Sequence, residues 1–234
     1  MLTLCYSAKG GSGTTVVVAL AGMACDRPTL LVDLDDELDV ALGLAPHDRP
    51  GVADWVTSAA PSAHLDDLLI TLNTSTTLLT SRTTRAGRPR GGPLPSGGEL
   101  HARWEAFAEW SRSWASANGG VVLLDAGTQP VPAPLAAVLD ERWMITRPCY
   151  LSLQRATRLP MRPTGVVLIT EPGRSLVASN VEAAVGAPVI ASTPWDPAVA
   201  RAVDAGLLAG GRVPRSIGRD LARLMRAPRA SRAA

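Results

Sequence analysis

Lysine is almost absent from this chain. A single residue, Lys9, stands against 22 arginines in 234 positions, so any task that needs a compact ammonium falls on one side chain. Aromatic residues make up only 4%, which leaves the core mostly aliphatic. Three cysteines, Cys5, Cys25 and Cys149, lie far apart with no C-x-x-C spacing. They exclude a disulfide framework and read as reduced core thiols. His47, His64 and His101 lack ligand spacing and read as surface or structural residues. No apolar run approaches the roughly 20 residues that a membrane-spanning helix needs. No signal-peptide pattern opens the chain either, so a cytoplasmic location is expected. Net charge is only +2, which offers no global electrostatic case for nucleic acid or membrane. What remains is a 46% hydrophobic chain of a length that suits one α/β domain.

The one lysine sits in a glycine-rich loop, Ala8-Lys9-Gly10-Gly11-Ser12-Gly13-Thr14-Thr15. Ahead of it runs the strand-like stretch Leu2-Thr3-Leu4-Cys5-Tyr6, and behind it a helical stretch to Cys25. Strand, glycine loop and helix together aim successive backbone N–H groups and a helix N-terminus at an anion. An arginine-rich chain that keeps its one lysine here points to a need for an ammonium; the alternative is a compositional accident. The ordinary phosphate loop, G-x-x-x-x-G-K-[ST], requires glycine where Ala8 stands and lysine where Thr14 stands. Two strand ends add carboxylates. Leu31-Val32-Asp33-Leu34-Asp35 places a D-x-D at the C-terminal edge of a sheet, where ligands of open α/β sheets gather. Val121-Val122-Leu123-Leu124-Asp125 is an apolar strand closed by an aspartate, whose oxygens suit Mg²⁺.

Strand-like and helical segments alternate along nearly the whole chain, which predicts βα units around a mostly parallel sheet. Strands are expected at Leu2–Ser7, Thr29–Asp33, Leu68–Leu72, Thr77–Leu79, Val121–Asp125, Arg142–Thr146, Gly165–Thr170 and Pro188–Ser192. Helices are expected at Thr14–Cys25, Glu99–Ala117, Pro134–Leu139, Leu151–Leu159, Ser175–Val185, Pro197–Leu208 and Arg215–Arg226. Residues 82–98, rich in Gly, Pro and Arg, read as a flexible loop, and the whole chain 1–234 as one domain. Trp104, Phe107, Trp110 and Trp114 share one helical face, read as core. From Arg212 onward come seven arginines and one acid. Ile217, Leu221, Leu224 and Met225 there form an apolar helical face. This basic segment, 212–234, either packs that face on the domain or presents Arg215, Arg219, Arg223 and Arg226 to an anionic membrane or to DNA.

The loop K-G-G-x-G-T-T resembles the deviant Walker A loop of the ParA/MinD superfamily of P-loop ATPases. The strand that follows with its segment, Val32 to Leu44, resembles the CpaE/TadZ branch, as does Thr146 to Leu159. Thr193-Pro194-Trp195-Asp196-Pro197 is similar to the superfamily's late P-x-D-P loop, which lies against the base. The resemblance implies ATP and Mg²⁺ as ligands and a homodimer formed on nucleotide. It implies that Lys9 reaches phosphates of the nucleotide held by the partner subunit, and that Gly10, Gly11, Ser12, Gly13, Thr14 and Thr15 cradle the phosphates. Thr15, Asp33 and Asp125 are the implied metal-side residues, Asp35 the water-positioning carboxylate, and Pro194 and Asp196 the base-side residues. Two positions depart from the pattern. Thr14 replaces the second lysine, which implies at most a weak ATPase, and Thr170-Glu171 replaces an amide-bearing pair that helps read the base.

The expected function is a nucleotide-responsive positioning or scaffold protein similar to CpaE/TadZ factors, dimerising on ATP with slow or no hydrolysis and binding a protein cargo. Two alternatives stand beside it: an active partition-type ATPase acting on DNA or cargo, and a pseudo-ATPase acting through protein contacts alone. The expected location is cytoplasmic, with a peripheral place at membrane or nucleoid.

Overall fold

The computed structural model describes residues 1–82, 96–210, 221 and 223–225. Most of the expected loop 82–98 lies outside them, as do Arg215, Arg219 and Arg226 of the expected last helix. Eight strands form one sheet in the order β3-β4-β2-β5-β1-β6-β7-β8. They are β1 (Leu2–Tyr6), β2 (Thr29–Asp33), β3 (Ile70–Thr71), β4 (Thr76–Leu79), β5 (Val121–Asp125), β6 (Glu141–Thr146), β7 (Gly165–Thr170) and β8 (Val189–Pro194). All neighbouring pairs are parallel except β3 with β4. The expected mostly parallel α/β architecture is therefore what the chain adopts.

The strands are continuous apolar runs because both faces are covered. Each run still alternates between two cores. Leu2, Leu4, Val122 and Leu124 enter one layer, whereas Cys5, Val121 and Leu123 enter the other. The second layer is closed by α1 (Thr14–Ala24), α2 (Leu38–Leu42) and α8 (Pro197–Asp204). The first is closed by α3 (Val52–Val56), α4 (Gly97–Ala117), α5 (Ala133–Ala137), α6 (Tyr150–Ala156) and α7 (Ala178–Val185). No helix among the described residues is long and apolar enough to cross a membrane.

Several boundaries differ from expectation for local reasons. Helix α4 starts at Gly97, two residues early, because Ser96 and Glu99 form a reciprocal cap: the Glu99 N–H donates to Ser96 Oγ at 3.3 Å, and the Ser96 N–H to Glu99 Oε2 at 2.7 Å. Leu68 closes a 3₁₀ turn (Ser62–Leu68) and leaves β3 only two residues long. Helices α2 and α3 were not anticipated; five residues each is too short for a periodic signal. Gly43 ends α2 at φ +78°, and a Cβ there would fall 2.0 Å from the Gly206 carbonyl oxygen, so glycine lets the ends of α2 and α8 meet.

The aromatic face of α4 is core. Phe107, the only phenylalanine, is fully buried; Trp104 meets it edge-on at 5.7 Å and Trp110 lies 5.8 Å away. In the basic C-terminal segment, Leu221 and Met225 are buried against α1 while Arg223 is exposed. The Arg27 guanidinium donates to the Met225 carbonyl at 3.3 Å. The described part of that apolar face, Leu221 and Met225, packs on the domain. Phe107→Ala should cost about 3–5 kcal/mol, read as a lower urea midpoint at unchanged slope.

Candidate nucleotide site

The glycine loop leaves β1 at Ser7 and enters α1 at Thr14. Gly11 and Gly13 have φ of +75° and +90°, and a Cβ at either would meet nothing within 4 Å. Glycine is needed there for backbone conformation, not for space. Helix α1 carries no side-chain cap and no acid in its first turn, so its leading N–H groups and the positive end of its dipole face outward together. The loop is braced from inside. Ser12 Oγ donates to the Lys9 carbonyl at 2.7 Å, and Ser7 Oγ shares its proton between the carbonyls of Lys9 and Gly127. Lys9 itself is half-buried, and its Nζ donates to the Gly10 carbonyl at 3.2 Å.

Beneath the loop, β2 and β5 bring Asp33 opposite Asp125 in register. Both are fully buried. Asp33 is used by its own chain: Oδ1 accepts from the N–H groups of Asp35 and Asp36, and Oδ2 from that of Leu38. It thereby shapes the turn into α2. Asp125 is less satisfied. Its Oδ1 accepts from the Gly127 N–H at 3.1 Å, whereas Oδ2 is buried without a hydrogen-bond partner. Burial pushes Asp125 up to about 7, and the neighbouring Asp33 carboxylate adds to the rise; the Thr15 hydroxyl and the Gly127 amide act the other way. Burial lifts Asp33 to about 6 against its three amide donors.

Asp35 stands at the mouth, with its carboxylate over Gly127. A Cβ at Gly127 would fall 1.8 Å from Asp35 Oδ2. The same glycine accepts the Ser7 N–H at 2.7 Å, so one short turn touches Asp125, Asp35 and the root of the loop. No cluster of three or more His, Cys, Asp or Glu side chains that could hold a metal alone occurs among the described residues. The donor set here is one orphaned carboxylate oxygen beside a threonine hydroxyl. That fits Mg²⁺, which takes one or two protein oxygens and fills its shell with water and substrate phosphate.

Beside the loop opens a largely apolar cavity of about 250 Å³. Ser12 and Gly13 border it, as do Val17 and Leu20 of α1, Pro194, Trp195 and Asp196 of the β8–α8 turn, Val199 of α8, Arg147, Thr193 and Leu221. The loop and the late Pro194–Asp196 turn, 181 positions apart from Gly13 to Pro194, thus share one cleft. Asp196 Oδ1 caps α8 by accepting the Ala198 N–H at 2.7 Å. Arg147 and Leu221 are lining residues that sequence reading missed. The substitution at Glu171 was visible, but nothing marked the arginine 24 positions earlier as its partner. Cys5 and Cys25 are buried as expected; Cys149 is only half-buried, at the start of α6, where the Ser152 N–H and the charges of Lys9 and Arg174 hold its thiol below the usual range.

A raised carboxylate pKa stabilises the fold fully below the unfolded value near 3.8 and loses that contribution as pH rises through the folded value. Metal-free protein should therefore pay for its buried Asp33 and Asp125 anions above about pH 7. Asp125→Asn should melt several degrees higher relative to wild type at pH 8 than at pH 4.5, both in EDTA. Equal offsets at the two pH values would contradict the raised pKa.

No protein-family model and no curated protein matches this sequence. Solved structures do match along nearly the whole chain. The ParA family ATPase of Chlorobium tepidum superposes with TM-score 0.71 at 18% identity, over 95% of this chain and 97% of that one. A chain of the MinC:MinD cell division protein complex of Aquifex aeolicus gives 0.71 at 19%, over 96% and 95%. The septum site-determining protein MinD of Pyrococcus horikoshii, complexed with Mg-ADP, gives 0.67 at 18%, over 95% and 93%. This chain has the P-loop fold of the ParA and MinD ATPases.

Proposed function

We propose that the chain binds a nucleoside triphosphate with Mg²⁺ and acts as a nucleotide-responsive positioning protein of the ParA/MinD superfamily, of the CpaE/TadZ kind. The observation that carries this reading is the uncapped N-terminus of α1, set above the orphaned Asp125 oxygen and open to the apolar cavity. The amides of Gly10, Gly11, Ser12, Gly13, Thr14 and Thr15 cradle the phosphates. Thr15 and Asp125 hold the metal, and Asp33 supports them by fixing the neighbouring turn. Mg²⁺ held there would supply charge neutralisation to the bound phosphates. Pro194 and Asp196 border the base, and Asp35 orients the attacking water.

Lys9 serves a different nucleotide. Among the described residues its ammonium donates to a loop carbonyl, and it lies half-exposed at the loop's front, which suits a reach toward a second subunit in an ATP-dependent homodimer. Thr14 offers a buried hydroxyl where a cation would stabilise charge on the transferred phosphoryl group. Turnover is accordingly slow or absent, and the dimer is the working output, delivered to a protein cargo. Contact with an anionic membrane or DNA through Arg215, Arg219, Arg223 and Arg226 belongs to the same reading, as does a cytoplasmic location peripheral to one of those surfaces.

Titration calorimetry should show ATP binding that depends on Mg²⁺; heat no different from buffer at millimolar ATP would favour a pseudo-ATPase. Affinity should be about 10- to 150-fold below that of a full P-loop, the effect of one missing charge-assisted contact of roughly 1.5–3 kcal/mol. Thr14→Lys should raise the hydrolysis rate, and equal rates would mean that another cation compensates. Lys9→Ala should abolish ATP-dependent dimerisation in light scattering while leaving monomer binding nearly intact. Lys9→Arg should rescue it only in part, since a planar fork does not replace a compact ammonium. A Lys9→Ala protein that dimerises like wild type would sink the cross-subunit role.

A further inference from the structure

Seven large apolar side chains are exposed among the described residues. Four of them, Tyr150, Leu151, Val177 and Trp195, stand where the chain leaves β6, β7 and β8 for α6, α7 and α8. Those strands are parallel neighbours, so the four residues lie along one edge of the sheet. Tyr150 is 74% exposed and Val177 55%. The loops of this edge are tied together. Arg147 and Arg174 both donate to Glu171, at 2.9 and 2.7 Å, which joins the β6 exit to the β7 exit. The Trp195 N–H donates to the Thr170 carbonyl at 2.7 Å, which joins the β7 exit to the β8 exit. The surroundings are basic. Between Arg142 and Thr170 stand five arginines and no acid, in a chain whose net charge is +2. Two of them, Arg155 and Arg158, are exposed, and Arg155 lies one helical turn from Leu151 on α6. The acids of the edge are engaged: Glu171 by its two arginines, and Asp196 by the first turn of α8.

We propose that this edge docks on an anionic lipid surface, with Tyr150, Leu151, Val177 and Trp195 entering the headgroup layer and Arg155, Arg158 and Arg174 meeting the lipid phosphates. It is a different surface from the C-terminal arginines and does not depend on a bound nucleotide. One partner must satisfy both the charges and the apolar tips, and that requirement chooses among occupants. Nucleic acid would satisfy the arginines, but an aliphatic tip such as Leu151 or Val177 contributes little at a phosphate backbone. A second copy joined across a two-fold axis would set this edge against itself, arginines facing arginines. The acidic complement of the chain is elsewhere. Asp26 to Asp67 holds ten acids against two arginines, and its strand, β2, is separated from β6 by β5 and β1. A bilayer interface offers both halves at once, since tyrosine and tryptophan favour the headgroup level and basic side chains are drawn to anionic lipids. Leu221 and Met225 of the C-terminal segment lie in the core. The β6–β8 edge instead supplies exposed apolar area, which shallow insertion requires.

The test is flotation of the full chain, without nucleotide and in EDTA, with vesicles of phosphatidylcholine alone or mixed with phosphatidylglycerol. Wild type should bind the mixed vesicles at least about tenfold more tightly, because each arginine near an anionic surface contributes about fivefold. Arg155→Gln combined with Arg158→Gln should lose about fivefold per arginine. Tyr150→Ser combined with Leu151→Ser should lose about tenfold, the part that comes from apolar insertion. These four side chains are exposed, so the melting temperature should hold. Leu100→Ser, at an exposed leucine on α4, should bind as wild type does. Wild type that fails to float with the mixed vesicles at low salt would overturn the proposal. So would unchanged binding by the Arg155 and Arg158 variant, which would pass the contact to the C-terminal arginines. Unchanged binding by the Tyr150 and Leu151 variant would leave adhesion by charge alone, and an equal loss in Leu100→Ser would make the effect general; either overturns it. A DNA duplex that loses affinity for the Tyr150 and Leu151 variant as the vesicles do would give the edge to nucleic acid. Nucleotide-free dimers in light scattering that the same variant returns to monomers would give it to a second copy. Both results would overturn the lipid assignment.

Discussion

Burying two carboxylates side by side is the constraint on which the rest of the site depends. Asp33 and Asp125 are register partners on neighbouring strands, and each is driven upward in pKa by the loss of water. The chain answers the two differently. Asp33 receives three backbone N–H groups from the turn behind it, and is so converted into a structural pin for that turn. Asp125 receives one, with an oxygen left over beside the Thr15 hydroxyl. The asymmetry leaves Asp125, not Asp33, with an oxygen that the backbone does not already use. The Gly127 turn then ties that carboxylate to the rest: its N–H holds Asp125, its carbonyl takes the Ser7 N–H, and its missing side chain makes room for Asp35.

Most of the framework was legible because it is written in contiguous residues. Five-residue apolar runs such as Val121–Asp125 and Thr29–Asp33 are strands with the expected ends, since central parallel strands have no polar face to blur the signal. The glycine loop was legible for the same reason. What was hidden depends on distant pairing. Arg147 looks like any arginine after a strand until β6 and β7 bring it to Glu171. Leu221 looks like one tooth of an amphipathic helix until it closes a wall of the cavity. Helices α2 and α3 gave no period because each makes little more than one turn.

The C-terminal segment shows how the same pattern can serve two outcomes. A basic amphipathic helix reads equally well as a membrane anchor or as a packed edge, because both need one apolar stripe. Here Leu221 and Met225 are buried with α1 residues in the second core layer. Leu221 and Met225, placed in the core, are not free to enter a bilayer, and the proposed attraction of the segment's arginines for an anionic surface is a separate matter. Such attraction is electrostatic and weakens with salt. It differs in kind from insertion, whose strength comes from buried apolar area.

Lys9 is the one cationic side chain in the glycine loop, and the proposed separation of binding from turnover rests on that. A phosphate cradle can be assembled from amides and a helix dipole, which Gly13 and the uncapped first turn of α1 provide without any lysine. Stabilising a transferring phosphoryl group asks for more, because negative charge spreads over its oxygens and a fixed cation lowers that energy. At Thr14 the chain supplies a buried hydroxyl instead. The one lysine, Lys9, donates to its own neighbour's carbonyl at the front of the loop, and Arg147, which lines the cavity, is paired with Glu171. Backbone groups that can face an anion are therefore present at the loop while a fixed cation at position 14 is not, and it is on this imbalance that the proposed slow turnover rests.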